Sequence, residues 1–136
     1  VSSNQVVCGC GATEILNLAA RAFAEPGKNV VCPYPSYSQF PGDAQYHGAA
    51  VRYVDLDNEY RIDLTRMLDR VDSNTSCVCL TNPNNPTGTW LVEAELEDFI
   101  ASVEEQEASL SENADIKIIY QDLVFGKSNV PNRVGD

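Results

Sequence analysis

Basic residues are scarce in this 136-residue chain: 9 lysines and arginines stand against 20 aspartates and glutamates, a formal net charge of −11. So acidic a chain offers no electropositive surface for a polyanion, and neither nucleic acid nor an anionic membrane is an expected partner. No apolar run approaches the roughly 18 residues that a membrane-spanning helix needs. Val1-Ser2-Ser3-Asn4 has neither the basic start nor the long apolar stretch of a secretory leader. The chain opens on Val1 already in mid-pattern, so a fragment of a longer, cytoplasmic protein is expected. A lone histidine, His47, cannot complete a convincing zinc site. The five cysteines (Cys8, Cys10, Cys32, Cys77, Cys79) contain no C-x-x-C pair. They fall in apolar, strand-like runs and are expected to be buried free thiols in a reducing compartment.

What the chain does have is alternation between short apolar runs and helical periodicity. Residues 5–8 form an apolar run that ends in Gly9-Cys10-Gly11. Ile15, Leu18, Ala19, Ala22 and Phe23 then recur at i, i+3, i+4, i+7 and i+8, the spacing of an amphipathic helix, which Pro26-Gly27 stops. Further strands are predicted over 29–32, 50–54, 76–80 and 116–120. Weaker helical patterns cover 36–47, the stretch from Leu64 to Val71, and Leu96, Phe99, Ile100 and Val103. Residues 104–113 are polar and acidic; Glu104, Glu105 and Glu107 sit unfavourably at the negative end of a helix dipole, so a frayed end and a loop are predicted there. Five strands separated by helices predict an α/β fold, a three-layer α/β/α arrangement on a mainly parallel sheet. No internal repeat or second domain is visible. In such sheets ligands bind beyond the carboxyl ends of the strands. Residues 9–13, 33–37, 82–88 and Asp122 all fall there.

Two of these stretches invite a chemical reading on their own. Gly9-Cys10-Gly11-Ala12-Thr13 joins a strand to a helix. Its free N–H groups and positive dipole end suit a phosphate, although a plain tight turn with Thr13 as N-cap satisfies the same residues. Asn82-Pro83-Asn84-Asn85-Pro86-Thr87-Gly88 holds the chain extended and then turned, which can aim an asparagine at a fixed point above a strand end. A plain loop needs no such density of special residues. Tyr37 taken alone reads equally as a core aromatic, and Asp122 as a turn or cap residue.

Taken in order, Gly11-Ala12-Thr13-Glu14, Ala22-Phe23-Ala24-Glu25-Pro26-Gly27, Pro33-Tyr34-Pro35-Ser36-Tyr37, the run 82–88 and the apolar strand ending at Asp122 are similar to the class I/II aminotransferases, nearest to their histidinol-phosphate aminotransferase branch. The resemblance covers nearly the whole chain. It implies a partial large domain of the fold-type-I, pyridoxal-phosphate-dependent transferase kind over residues 1–136, with the small domain and the Schiff-base lysine segment outside it. It further implies pyridoxal 5'-phosphate (PLP) as cofactor, amino-acid and 2-oxo-acid substrates, and a homodimer for the full-length protein. By the same resemblance Ala12 and Thr13 bind the cofactor phosphate, Tyr37 stacks on its ring, Asn85 donates to the phenolic oxygen and Asp122 pairs with the ring nitrogen. A carboxylate there favours the protonated ring.

Two features depart from the family pattern. Asp122-Leu123-Val124-Phe125 stands where the family usually has Asp-Glu-x-Tyr, so Phe125 lacks a hydroxyl to assist Asn85. Threonine-phosphate decarboxylase resembles this chain in carrying phenylalanine there, which leaves a PLP decarboxylase or lyase open beside an aminotransferase. The lysine on which such enzymes hold PLP is expected beyond Asp136. Lys28, Lys117 and Lys127 have the wrong setting, and Lys127 reads as a surface lysine, so the segment by itself is expected to be inactive and to bind PLP weakly. A non-catalytic α/β domain that binds a phosphorylated ligand or a partner protein is the remaining alternative.

Overall fold

The computed structural model describes residues 2–110 and 114–122, and for Asp122 the backbone alone. Four parallel strands, β1 (Asn29–Tyr34), β2 (Ala50–Asp55), β3 (Thr75–Asn82) and β4 (Lys117–Asp122), form one sheet in the order β2-β1-β3-β4. Helices α1 (Gly11–Phe23) and α2 (Gln39–Tyr46) cover one face, and α3 (Leu64–Leu68) and α4 (Glu93–Leu110) the other. This is the expected α/β/α sandwich.

Alternation along the strands builds both cores. On β1, Val30 and Cys32 point to the α1/α2 side and Val31 to the other; on β3, Cys77 and Cys79 face α1 and α2 while Val78 and Leu80 face α3 and α4. All eight residues of β3 are buried. A strand covered on both faces and paired on both edges reads as a continuous apolar run, which is how its centre, Cys77-Val78-Cys79-Leu80, reads, with buried Thr75, Ser76, Thr81 and Asn82 at its ends. Leu16 and Ala20 anchor α1, Phe40 and Ala44 anchor α2, Met67 anchors α3, and Phe99 and Val103 anchor α4. The Asp63 carboxylate accepts from the Arg66 N–H at 3.0 Å and caps α3.

The chain runs from β1 outward to β2, then returns past β1 to β3. The strand order therefore reverses between β1 and β3, and the loops leaving those two strands diverge to opposite faces. A switch point of this kind opens a crevice at the carboxyl ends of the strands.

The structure corrects the sequence reading in four places. Helix α1 buries Leu16 and Ala20, whereas Leu18 and Phe23 of the apolar spacing are 38% and 39% exposed. Residues 5–8 are not a strand: Ser3–Gln5 is a single 3₁₀ turn, and Val6 and Val7 are 57% and 69% exposed. The apolar run is real, but the described residues supply no strand for it to pair with. For the same reason Cys8 and Cys10 are exposed, whereas Cys32, Cys77 and Cys79 are buried as expected. Finally, α4 continues through Leu110 rather than fraying at residue 104. Gln106 donates to the Val71 carbonyl at 2.9 Å and the Glu107 carboxylate accepts the Ile116 N–H at 3.1 Å, while Glu104 and Glu105 stay in solvent. Those tertiary bonds outweigh the dipole penalty.

The thiols offer a direct check. A hydrogen bond with Cys79 together with burial pushes the Cys32 thiol well above its ordinary range, and burial pushes Cys77 up to about 11. At neutral pH a disulfide reagent such as DTNB is expected to titrate Cys8 and Cys10 rapidly, and the other three only after unfolding. Rapid reaction of more than two thiols would contradict this packing.

Candidate cofactor site

The two loops that leave β1 and β3 are tied together by one buried side chain. Asn84, 2% exposed, accepts the Ser36 hydroxyl at 2.6 Å on Oδ1, and its Nδ2 donates to the Pro35 carbonyl at 3.1 Å and to Thr87 Oγ1 at 2.8 Å. Thr89 Oγ1 donates to the Tyr60 carbonyl at 2.7 Å, so the 2.8 Å contact between the Thr87 and Thr89 hydroxyls takes its proton from Thr87. The chain of bonds thus crosses three strand-end loops, those after β1, β3 and β2. Within the β3 loop the Asn84 N–H donates to the Thr89 carbonyl, and the Gly88 N–H to the Asn84 carbonyl at 2.7 Å. Gly88 makes that turn at φ +71°, where a side chain would be strained.

Asn82, at the end of β3, is used the same way. Its Oδ1 accepts the Leu91 N–H at 2.9 Å, and its Nδ2 donates to the Leu91 carbonyl at 3.0 Å and to the Tyr120 hydroxyl at 3.1 Å. Of the three asparagines in the 82–88 run, two are therefore built into the scaffold. Asn85 is exposed and makes no side-chain hydrogen bond among the described residues. Two buried asparagines hold the loop and leave the third presented to solvent.

Tyr37 follows Ser36 and is half-buried against the α1/α2 core, so it is both packed and partly open. The backbone of Asp122 pairs with that of Asn82 at the ends of β4 and β3, three residues before Asn85. Its side chain, with Phe125 and Lys127, lies outside the described residues.

Ala12 and Thr13 are exposed in the first turn of α1. A short turn, with Lys28 N–H donating to the Glu25 carbonyl at 3.1 Å, joins the end of α1 to the start of β1. The helix then packs back along the strand. Thirteen residues of helix and six of strand each span about 20 Å. The start of α1 is therefore level with the carboxyl ends of the strands. Gly11 opens it at φ +77°, and Cys10 provides no side-chain cap. Thr13 is thus the third helical residue, not the N-cap. The Glu14 carboxylate accepts the Cys10 N–H, but no side-chain acceptor is bonded to the N–H groups of Ala12 or Thr13 among the described residues. Nor does any hydrogen bond there link the start of α1 to the Tyr37 or Asn85 loops.

The described groups suit a phosphorylated pyridine: uncapped helix amides and a hydroxyl for the phosphate, an aromatic face and a free amide. Of the residues that build the site, the sequence reading missed Ser36, Asn84, Thr87 and Thr89. For Asn84 and Thr87 the signal was the density of special residues in the 82–88 run, read there as aiming one asparagine and used in the structure to seat two others; Ser36 and Thr89 lie outside that run.

The fold is that of the pyridoxal-phosphate-dependent transferases, and the whole-chain comparison narrows it. The sequence model of aminotransferase class I and II matches residues 1–135, and this chain belongs to that family, whose cofactor is PLP. It is 42% identical over 105 residues to histidinol-phosphate aminotransferase 2 of Pseudomonas fluorescens, covering 77% of this chain and 28% of that protein. Histidinol-phosphate aminotransferase of Geobacillus thermodenitrificans is 42% identical over 103 residues, 76% of this chain and 28% of the relative. Among solved structures, tyrosine aminotransferase from Leishmania infantum superposes with a TM-score of 0.68 at 26% identity, covering 81% of this chain and 28% of that one. The chain spans 28% of the length of the curated relatives it matches. Among the described residues no helix is long and apolar enough to cross a membrane.

Proposed function

We propose that residues 1–136 are part of the PLP-binding large domain of an aminotransferase that moves an amino group from an amino acid to a 2-oxo acid, in a cytoplasmic homodimer. The observation that carries this reading is the clamp at the switch point, where Asn84 ties the loop bearing Tyr37 to the loop bearing Asn85. Ala12 and Thr13 would bind the phosphate through their N–H groups, with the Thr13 hydroxyl in support. Tyr37 would cover one ring face, Asn85 would donate to the phenolic oxygen, and Asp122 would hold a proton on the ring nitrogen. Bound PLP supplies an electron sink for the substrate Cα, while the protein supplies orientation and electrostatics. Relatives named histidinol-phosphate aminotransferases make histidinol phosphate the first amino donor to try.

The test is spectroscopic. Added PLP is expected to give the intact protein that carries this chain a visible band, which borohydride removes as the cofactor becomes fixed to a lysine. An amino-donor panel should then yield 2-oxo products. Release of carbon dioxide instead would assign a decarboxylase, and the absence of any band would leave a non-catalytic phosphate-binding domain.

A further inference from the structure

We propose that Asn84 is a positioning residue of the cofactor site: it sets the pose of Asn85 by locking the β3 loop to Pro35 and Ser36 of the β1 loop. The proposal rests on the reading of Asn85 and Tyr37 as cofactor contacts given above. Asn85 is exposed, and among the described residues no side-chain hydrogen bond holds it in place. Within the described residues its pose is set by the backbone, and the residue before it is the most constrained in the loop. Asn84 is 2% exposed, with Oδ1 and both Nδ2 hydrogens engaged and its own N–H and carbonyl bonded within the loop. The same side chain reaches Ser36, the neighbour of Tyr37. One amide therefore fixes the spacing between the two groups proposed to meet the ring, before any ligand arrives. Such preorganisation spares the ligand the entropy of ordering two loops.

The amide is suited to this by its chemistry. Oδ1 accepts from a hydroxyl while Nδ2 donates to a carbonyl and a second hydroxyl. In Asn84→Asp the carboxylate retains the bond from Ser36, loses both donors, and faces the Pro35 carbonyl with a charge.

A double-mutant cycle in the intact protein separates positioning from a merely structural role. PLP affinity, the pH midpoint of the visible band of bound PLP, and urea stability would be measured for wild type, Asn84→Ala, Asn85→Ala and the double variant. Asn85→Ala is expected to weaken PLP about tenfold or more, and Asn84→Ala about tenfold, with the pH midpoint displaced in the same direction. In the Asn85→Ala background, Asn84→Ala should cost less than about twofold further, because the group it positions is gone. Ser36→Ala, which removes a single bond, should weaken PLP a few-fold in wild type and not in Asn85→Ala; it carries the test if Asn84→Ala fails to fold. Equal losses in both backgrounds, or an unmoved pH midpoint, would overturn the positioning role and leave the cofactor site intact. An Asn85→Ala variant that binds PLP normally would overturn the site reading itself, and the positioning role with it.

Discussion

Asp122→Asn in the intact protein is expected to lower kcat for amino transfer by about 10²–10³-fold, roughly 3–4 kcal/mol of barrier, with a much smaller change in the KM for the amino donor. A carboxylate beside the pyridine nitrogen holds a proton there, and an amide of the same size carries no charge with which to do so. The backbone pairing of residue 122 with Asn82 survives the change, so the fold should too. A loss confined to kcat then separates the proton-holding role from assembly of the sheet. Steady-state kinetics, alongside circular dichroism of the variant, reads the difference. Wild-type turnover in Asp122→Asn would remove Asp122 from the site and leave it as the strand-end residue that its sequence position alone allows.

Met67→Ala carries the largest expected effect on stability. Helix α3 has five residues and one fully buried side chain, Met67 at 0% exposure, which belongs to the α3/α4-side core with Val31, Val54, Val78 and Phe99. A helix this short has little stability of its own, so its attachment to the sheet depends chiefly on that contact, with the partly buried Leu64 and Leu68 beside it and the Asp63 cap in support. Truncation to alanine leaves a cavity that packed strands fill poorly, and should cost about 2–5 kcal/mol. Against the roughly 5–15 kcal/mol that stabilises a typical domain, this is a large fraction. Urea unfolding should show a lower midpoint at unchanged slope. A shift worth less than about 1 kcal/mol would mean that α3 is held by something other than Met67.

Most of the sheet was legible from local pattern. The strand now seen as β3 has an apolar centre, Cys77-Val78-Cys79-Leu80, because both its faces and both its edges are covered. Helix α1 was legible as a helix, but the side it buries is that of Leu16 and Ala20 rather than that of Leu18 and Phe23. Failures came where structure depends on distant partners. Residues 5–8 have the composition of a strand, but pairing is not a local property, and Val6 and Val7 stand exposed with Cys8 and Cys10. Conversely, Glu104, Glu105 and Glu107 read as the end of a helix, and the helix persists because Gln106 bonds to Val71, 35 residues away, and Glu107 to Ile116 at the foot of β4, 9 residues away.

The site shows the same division. Its location at the carboxyl ends of the strands follows from the alternation of elements, and the 82–88 run identifies itself by composition. Which asparagine faces outward did not follow from the residues alone: it was set by the family resemblance. In the structure the reason is physical, since Asn82 and Asn84 are consumed by Leu91, Tyr120, Pro35, Ser36 and Thr87, leaving Asn85 presented. A bond from Thr89 to Tyr60, 29 residues apart, has no counterpart in any local pattern.

The central claim, that the strand ends at the switch point cradle PLP, is tested most directly by a crystal structure of the intact protein grown with the cofactor. The expected result is a phosphate against the N–H groups of Ala12 and Thr13 and a ring bordered by Tyr37, Asn85 and Asp122. A cofactor seated elsewhere, or a phosphate that leaves the start of α1 unused, would contradict it.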